Sequence, residues 1–160
     1  VLALALAGQF VHSSRDSLAT YGFFDSAIAP VYEAIGQPVT PEWNIRGWQF
    51  ESTSGSIDDA DAALRIVSRI SNGSESPLPY PLVHVSLTDR FEEVMGSRVL
   101  EPGDYLAGNT NVDRLVQPGE SFTAVIGIAD PAPEATGFKL NVCYRVAAGT
   151  VRCAIEDFKN

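Results

Sequence analysis

The sequence contains two histidines, which are the first candidates for catalytic chemistry. A nucleophilic serine or cysteine needs a general base within hydrogen-bond reach, and histidine most often fills that role. His12 falls in an apolar, helix-like stretch, whereas His84 falls on an alternating strand at a position that faces away from the core. No G-x-S-x-G, P-loop, G-x-G-x-x-G or H-E-x-x-H motif accompanies them. The sequence therefore predicts that the protein is not an enzyme. A hydrolase would need a pocket that joins His84 to a carboxylate.

Carboxylates are the next residues that could do chemistry, as ligands of a metal ion. Asp58, Asp59 and Asp61 could supply oxygens to calcium, but they lack the glycine and the terminal glutamate of an EF-hand loop. Glu92 and Glu93 form a similar acidic pair in a later turn. Both groups are typical of solvated turns, so we expect no metal and no other cofactor.

The cysteines, Cys143 and Cys153, lie on the last two predicted strands. If residues 147–149 form the connecting loop, Val146 pairs with Thr150. The same register places the two cysteines directly opposite each other, where a disulfide is geometrically possible. A disulfide would favour an oxidising compartment. The alternative is two reduced thiols on a cytosolic sheet, because a structural zinc site normally takes four ligands.

Several other groups could take part in binding. Asn72-Gly73-Ser74 matches a glycosylation acceptor, although a pattern of three residues also occurs by chance. Aromatic side chains could line a face that binds a peptide or a glycan, but they more often belong to the core. They are Trp43, Trp48, Phe50, Tyr80 and Tyr105. An exposed sheet edge could accept a strand from a partner, and the proline-rich residues 77–81 could blunt one such edge.

Composition limits the class of protein. The chain has 160 residues, of which 45% are hydrophobic and 19% are charged, as in an ordinary folded domain with a short appendage. The net charge of −9 argues against nucleic acid as a partner, because phosphate binding needs clustered lysine and arginine.

The N-terminal residues Val1–Ala7 form an apolar run that is too short to cross a bilayer by itself. It could be the end of a membrane helix, the tail of a signal peptide or a helix that docks on the domain. We favour the first, because a helical pattern continues to Ala19 with a polar second half. Gly22 is predicted to end this helix. A second helix, capped by Asp25 or Ser26 and with Pro30 near its first turn, is predicted to end at Gly36.

From Trp43 onward the hydrophobic period changes to two, which is typical of strands. Strands are predicted at residues 44–53, 62–71, 82–88, 94–100, 121–128, 137–146 and 151–158, and the first is expected to end at residues 54–56. In the strand at residues 82–88, the core face should carry Val83, Val85 and Leu87, and the opposite face should carry His84, Ser86 and Thr88. A loop without glycine is predicted at residues 89–93, and a turn with proline at its second position at residues 101–104.

Together these patterns predict a mainly β fold, namely an antiparallel immunoglobulin-like β-sandwich of about seven strands preceded by two short N-terminal helices. Residues 1–40 are predicted to be a membrane-proximal helical segment, made of the end of a membrane helix and a helical hairpin. Residues 41–160 are predicted to be the β-sandwich domain.

A set of short motifs gives the sequence a family resemblance. They include Gln9, Arg15 and Leu18-Ala19 in the first helix, residues 30–36 in the second, Ile70-Ser71-Asn72 at a strand end, Pro79-Tyr80-Pro81-Leu82, residues 85–89, Arg98-Val99-Leu100, Pro102 and Tyr105-Leu106. In this combination they resemble the domain of unknown function that follows a zinc ribbon and a single membrane helix in Gram-negative bacterial membrane proteins. The resemblance departs at Gln37, where that family commonly has a cysteine, and at Glu92-Glu93, where it often has a glycine.

The resemblance implies a periplasmic domain anchored in the inner membrane, with Val1–Ala7 as the end of a cut membrane helix. It implies no activity and, because the zinc ribbon is not in this sequence, no metal. The Cys143–Cys153 pair is then particular to this protein. Seven motif residues are expected to be architectural: Asn72, Pro79, Pro81, Leu87, Asp89, Pro102 and Tyr105.

We therefore expect a non-enzymatic periplasmic domain that binds another envelope or membrane protein, or that relays a signal across the membrane. The alternative is a secreted β-sandwich that binds a small ligand or calcium.

Overall fold

A computed structural model describes residues 2–35, 41–58, 63–146 and 150–155. The chain divides into two compact units. One comprises Val1–Trp43 with Arg145–Arg152, and the other comprises Asn44–Tyr144 with Cys153–Asn160.

The N-terminal unit contains three helical segments: α1 (Leu2–Ser13), α2 (Arg15–Leu18) and α3 (Gly22–Ala34). Gly22 begins α3 rather than ending the first helix, so the predicted caps Asp25 and Ser26 lie inside α3. Pro30 also lies well inside this helix and not near its first turn. The predicted end at Gly36 lies outside the described residues. None of the helices in the described ranges has the length and hydrophobicity needed to cross a bilayer.

The second unit is mainly β, and the described ranges contain nine strands. They are β1 (Trp48–Asp58), β2 (Ala63–Asn72), β3 (Leu78–Pro79), β4 (Leu82–Thr88), β5 (Val94–Leu100), β6 (Leu115–Val116), β7 (Ser121–Ala129), β8 (Gly137–Arg145) and β9 (Val151–Cys153). A short 3-10 helix, Ile45–Gly47, precedes β1, and the one-turn helix α4 (Pro102–Tyr105) follows β5. The alternating patterns of β2, β4, β5 and β7 therefore predicted these strands correctly.

The strands form antiparallel sheets. The three-stranded sheet has the order β1-β2-β7, the four-stranded sheet has the order β5-β4-β8-β9, and β3 pairs with β6. The register joins Ile66 to Ile126 in the first sheet and Val83 to Leu100 in the second.

The first strand is longer than predicted, because β1 continues through Ser54, Gly55 and Ser56 to Asp58. A Cβ atom on Gly55 would lie 2.6 Å from Cε1 of Phe138, so the glycine leaves room for a ring from β8 rather than forming a turn. The last strand is shorter than predicted, and its expected continuation through residues 156–158 lies outside the described residues.

An aromatic cluster at the centre of this unit joins the two larger sheets. Phe122 of β7 packs edge-on against Trp48 and Tyr80, with ring centroids 5.6 and 5.0 Å apart. The hydroxyl of Tyr144, on β8, accepts a hydrogen bond from Nε1 of Trp48 at 2.9 Å and donates one to the carbonyl of Pro79 at 2.6 Å. Buried polar groups therefore find partners inside the cluster.

Both faces of β4 are covered, although the alternating pattern predicted that only the face with Val83, Val85 and Leu87 would lie against the core. Val83 and Val85 are buried as expected, but Ser86 and Thr88 are buried too, and His84 is half-buried. Next to them, the side chain of Asn141 donates to the carbonyl of Ile155 at 2.8 Å and accepts from its N–H at 3.2 Å. The chain at Ile155 therefore covers the part of this face next to His84.

Candidate functional site

A cleft of about 400 Å³ opens between the edge of the four-stranded sheet and the edge of the three-stranded sheet. We call it the edge cleft. Its walls come from β4 and β5 on one side and from β7 on the other: Val85, Leu87, Gly96, Ser97, Arg98, Leu100, Ile126, Gly127, Ile128 and Ala129. The walls are mostly apolar, and Arg98 is the one charged side chain among these described lining residues.

The strands that flank the cleft, β5 and β7, are both terminal strands of their sheets within the described part of the chain. An edge strand presents backbone N–H and C=O groups that no neighbouring strand satisfies. On β5, Val94, Met95 and Val99 are 44%, 44% and 42% exposed. This edge therefore combines free backbone groups with exposed apolar side chains.

The helix α4 lies at the end of β5. Its start is fixed by Asp104, whose carboxylate accepts the N–H of Glu101 at 2.9 Å. Pro102 occupies the first turn, where its missing N–H costs no hydrogen bond. Tyr105 is buried, and its hydroxyl donates a hydrogen bond to the carbonyl of Pro81 at 2.7 Å. Its ring stacks on that of Phe122, with the ring centroids 5.9 Å apart. The predicted turn is thus one turn of helix, and it anchors the chain that leaves β5.

The β4–β5 hairpin is closed by Asp89. Its carboxylate accepts the N–H groups of Phe91 at 2.8 Å and Glu93 at 3.0 Å. Glu92 takes a left-handed backbone conformation with φ of 65°, at the place where the resembled family often has glycine. Its carboxylate pairs with Nζ of Lys139 on β8 at 3.0 Å.

Asn72 is a buried junction for several chain segments. Its amide nitrogen donates to the carbonyls of Ser76 and Val116, both at 2.9 Å. Its amide oxygen accepts from the N–H and the hydroxyl of Ser74, at 2.9 and 2.6 Å. Because the side chain is fully buried and its hydrogen bonds are made, the Asn72-Gly73-Ser74 pattern does not present a glycosylation site on the folded surface.

Most of the remaining predicted motif residues lie outside the lining of the edge cleft. The carbonyls of Pro79 and Pro81 each accept a tyrosine hydroxyl, as described above. Leu87, in contrast, lines the edge cleft.

Among the described residues, the histidine and carboxylate candidates do not form a metal-binding cluster. The described residues contain no cluster of three or more histidine, cysteine, aspartate or glutamate side chains that could hold a metal. Asp59 and Asp61 lie outside the described residues. Burial lowers the pKa of His84. Trp48, Tyr80 and Tyr105 belong to the core, so the aromatic residues do not form one exposed binding face.

Cys143 and Cys153 form a disulfide with their Cα atoms 4.0 Å apart. Hydrogen bonds from Val146 to Thr150 and from Ala154 to Val142 flank the pair in the register expected from the sequence. The cysteines therefore occupy a non-hydrogen-bonded position, where facing side chains approach most closely.

A family model described as a protein of unknown function matches residues 47–142, more than half of the chain. The chain belongs to the DUF3426 family. The expectation of a domain of unknown function is thereby confirmed. The DUF3426 match includes both walls of the edge cleft, whereas Cys143 and Cys153 follow it. No curated protein and no solved structure gives a significant match.

Sequence reasoning missed the edge cleft, although two signals for it were present. Gly96 interrupts the apolar pattern of β5, and Arg98 takes a core-facing position on the same strand. Either signal alone is ambiguous, because the cleft also depends on how β7 lies against β5.

Proposed function

We propose that the DUF3426 region is a non-catalytic, immunoglobulin-like β-sandwich that binds an extended segment of another envelope protein along β5. The observation that carries this proposal is the outer edge of β5, which no other strand of the described ranges pairs, together with its exposed apolar side chains beside an apolar cleft. Binding by strand addition uses main-chain hydrogen bonds for affinity and pockets for alternate side chains for specificity.

Two other terminal strands of the described sheets, β9 and β1, fit this role less well. On β9 there are only three residues, and one of them is tied to β8 by the disulfide. On β1 the exposed residues are largely serine, threonine and other polar side chains, and Glu51 is engaged by Arg69 at 2.6 Å. By contrast, β5 contains neither proline nor lysine, the residues that commonly protect edges.

Contacts between the two larger sheets support the sandwich architecture. Gly55 of β1 lies against the Phe138 ring of β8, and Trp48 of β1 is hydrogen-bonded to Tyr144 of β8. At the other side of the sheets, β5 lies across the edge cleft from β7. These contacts support the packing of one sheet against the other that the proposed β-sandwich requires.

We also propose that this domain lies in the periplasm and is tethered to the inner membrane through the N-terminal apolar segment. The disulfide supports an oxidising compartment, because such bonds are rare among cytosolic proteins. The tether rests on the apolar Val1–Ala7 run and on the family resemblance.

Site-specific photocrosslinking in cells that produce the full-length protein tests the binding surface. A photoreactive amino acid is placed at Val99 on β5 or, as a matched control, at Ser54 on the exposed edge strand β1. We expect one dominant adduct from position 99 and none from position 54, and mass spectrometry should place the link in an extended segment of the partner. Absence of an adduct at position 99, or equal adducts at both positions, would remove β5 as the binding edge.

The compartment is tested by blocking free thiols in intact cells and then measuring the gel shift of a maleimide reagent after reduction. A periplasmic domain should show Cys143 and Cys153 protected before reduction and reactive after it. Two thiols that react at once would contradict the periplasmic location.

A further inference from the structure

Arg98 points into the edge cleft rather than away from the sheet. In the β4–β5 register it lies directly opposite Val85, and residues that face each other across two strands project from the same face. Val85 is only 4% exposed and belongs to the core. The guanidinium of Arg98 therefore leaves β5 on the core side, where the open edge keeps it accessible.

This guanidinium has no counter-ion among the described residues. Two other arginines of the same unit are paired: Arg69 contacts Glu51 at 2.6 Å, and Arg114 contacts Glu120 at 2.5 Å. The chain has 20 acidic and 11 basic residues, so carboxylates are plentiful as partners for its arginines. A lone cation beside an apolar wall offers a bound carboxylate a partner, and a strand added along β5 would shield that pair from part of the solvent.

Beside Arg98 there is room for a large side chain. Gly96 lies two residues along β5, opposite Leu87 and on the same face. A Cβ atom built on Gly96 would meet nothing within 4 Å, and the same holds for Gly127 on the facing strand. The cleft is therefore open next to the cation, with Leu87 and Ile126 among its walls.

We propose that Arg98 and Gly96 select the segment that binds β5: it carries an aspartate or glutamate opposite Arg98 and a large apolar residue, two positions away, opposite Gly96. Residues two apart on an added strand project from one face and reach the cleft together. The two flanking strand edges supply backbone groups that match a peptide chain rather than an apolar acid of low molecular weight. This inference rests on the proposed function of β5.

An inward-pointing charge on an edge strand can also protect that edge against pairing. The protective role and the selective role predict different behaviour. If Arg98 only protects the edge, neutralising it should promote self-association and leave any peptide preference unchanged. If Arg98 selects a carboxylate, neutralising it should abolish the preference for an acidic peptide, and reversing its charge should reverse that preference.

The test measures binding of the whole chain to short, end-blocked peptides with the pattern Thr-Val-Thr-Phe-Thr-X-Thr-Val-Thr, in which X is Asp, Asn or Lys. We expect the Asp peptide to bind the wild type about tenfold more tightly than the Asn peptide, provided that the added strand shields the Arg98–carboxylate pair from solvent. Arg98→Gln should bind the Asp and Asn peptides equally, and Arg98→Glu should prefer the Lys peptide. Gly96→Val should weaken binding of all three peptides because it fills the space for the phenylalanine.

Arg46→Gln is the matched control, because Arg46 is an exposed arginine on the short 3-10 helix and does not line the cleft. This variant should show the same peptide preference as the wild type. Amide NMR shifts report where the peptides bind. If all peptides shift β5 amides with equal affinity, strand addition stands and selection by Arg98 is wrong. If no peptide perturbs β5 up to millimolar concentration, the proposed function itself fails. Dimerisation of the chain through β5 would make a second copy the occupant and overturn the inference.

Discussion

Replacing Tyr144 by phenylalanine tests whether a single hydroxyl helps to join the two larger sheets. This hydroxyl accepts a hydrogen bond from Nε1 of Trp48 at 2.9 Å and donates one to the carbonyl of Pro79 at 2.6 Å. Both Tyr144 and Trp48 are buried. Tyr144→Phe keeps the ring and its packing, but it removes the partner of one donor and one acceptor.

A buried polar group left without its partner costs about 1–3 kcal/mol, so Tyr144→Phe should lower the free energy of unfolding by about 2–4 kcal/mol. Tyr105→Phe is the matched comparison, because its hydroxyl makes one hydrogen bond, to the carbonyl of Pro81 at 2.7 Å. That change should cost about 1–2 kcal/mol. For a chain of 160 residues, each kcal/mol corresponds to about 2–4 °C in Tm.

Urea unfolding followed by far-UV circular dichroism measures both variants, with the disulfide kept intact. Tryptophan fluorescence is less suitable as the probe, because Tyr144→Phe changes the immediate environment of Trp48. The decisive comparison is which of the two variants loses more free energy of unfolding. If Tyr144→Phe costs no more than Tyr105→Phe, the two hydrogen bonds of Tyr144 do not support the junction as described.

The same tyrosines predict a loss of stability in alkali. Burial raises the pKa of Tyr144 and of Tyr105 above the ordinary value of 10.0, and neighbouring tyrosines raise that of Tyr105 further. The folded state therefore keeps these protons when the unfolded chain has lost them. Their contribution is complete below about pH 10 and falls as the pH rises, by about 1.4 kcal/mol per pH unit for each tyrosine. Each phenylalanine variant should show a shallower decline than the wild type; identical slopes would contradict this account.

Three further changes follow from the fold. Gly55→Ala should lower the free energy of unfolding by about 1–3 kcal/mol, because the new Cβ would lie 2.6 Å from the Phe138 ring. Gly127→Ala should cost much less, because no atom lies within 4 Å of its Cβ position. Equal urea midpoints for the two variants would exclude the close contact at Gly55. Glu92→Gly should raise the free energy of unfolding by about 0.5–1 kcal/mol, because it relieves a φ of 65° and loses only an exposed ion pair. Glu93→Gly should give no such gain, and thermal melts of the two variants measure the difference. Replacing both cysteines by alanine should cost about 2–3 kcal/mol for a loop with a sequence separation of 10, and an unchanged urea midpoint relative to the oxidised wild type would rule that out.

The central hairpin was predictable because its signals are local. The alternating residues of β4 and β5 and the turn residues between them determine the strands without help from the rest of the chain. The Cys143–Cys153 register follows in the same way from the short distance between the last two strands.

Long-range packing accounts for the places where the structure differs from the sequence-based predictions. Ser54-Gly55-Ser56 has the composition of a turn, yet it continues β1 because Phe138, far along the sequence, packs on the glycine. Ser86 and Thr88 were predicted to face away from the core, and they are nevertheless buried, so the second face of β4 is also covered. The edge cleft depends on the position of β7 relative to β5, which no local pattern contains.

The position of Tyr144 also determines how this domain can be shortened in the laboratory. The family match ends at residue 142, just before Cys143 and Tyr144. A fragment trimmed to the matched residues would lose the hydroxyl between Trp48 and Pro79 and the disulfide that ties β9 to β8. We expect such a fragment to express poorly or to aggregate, whereas one that extends to Ile155 should fold. The practical limits of the domain are thus set by the bonds that cross it, and these extend further than the sequence it shares with its relatives.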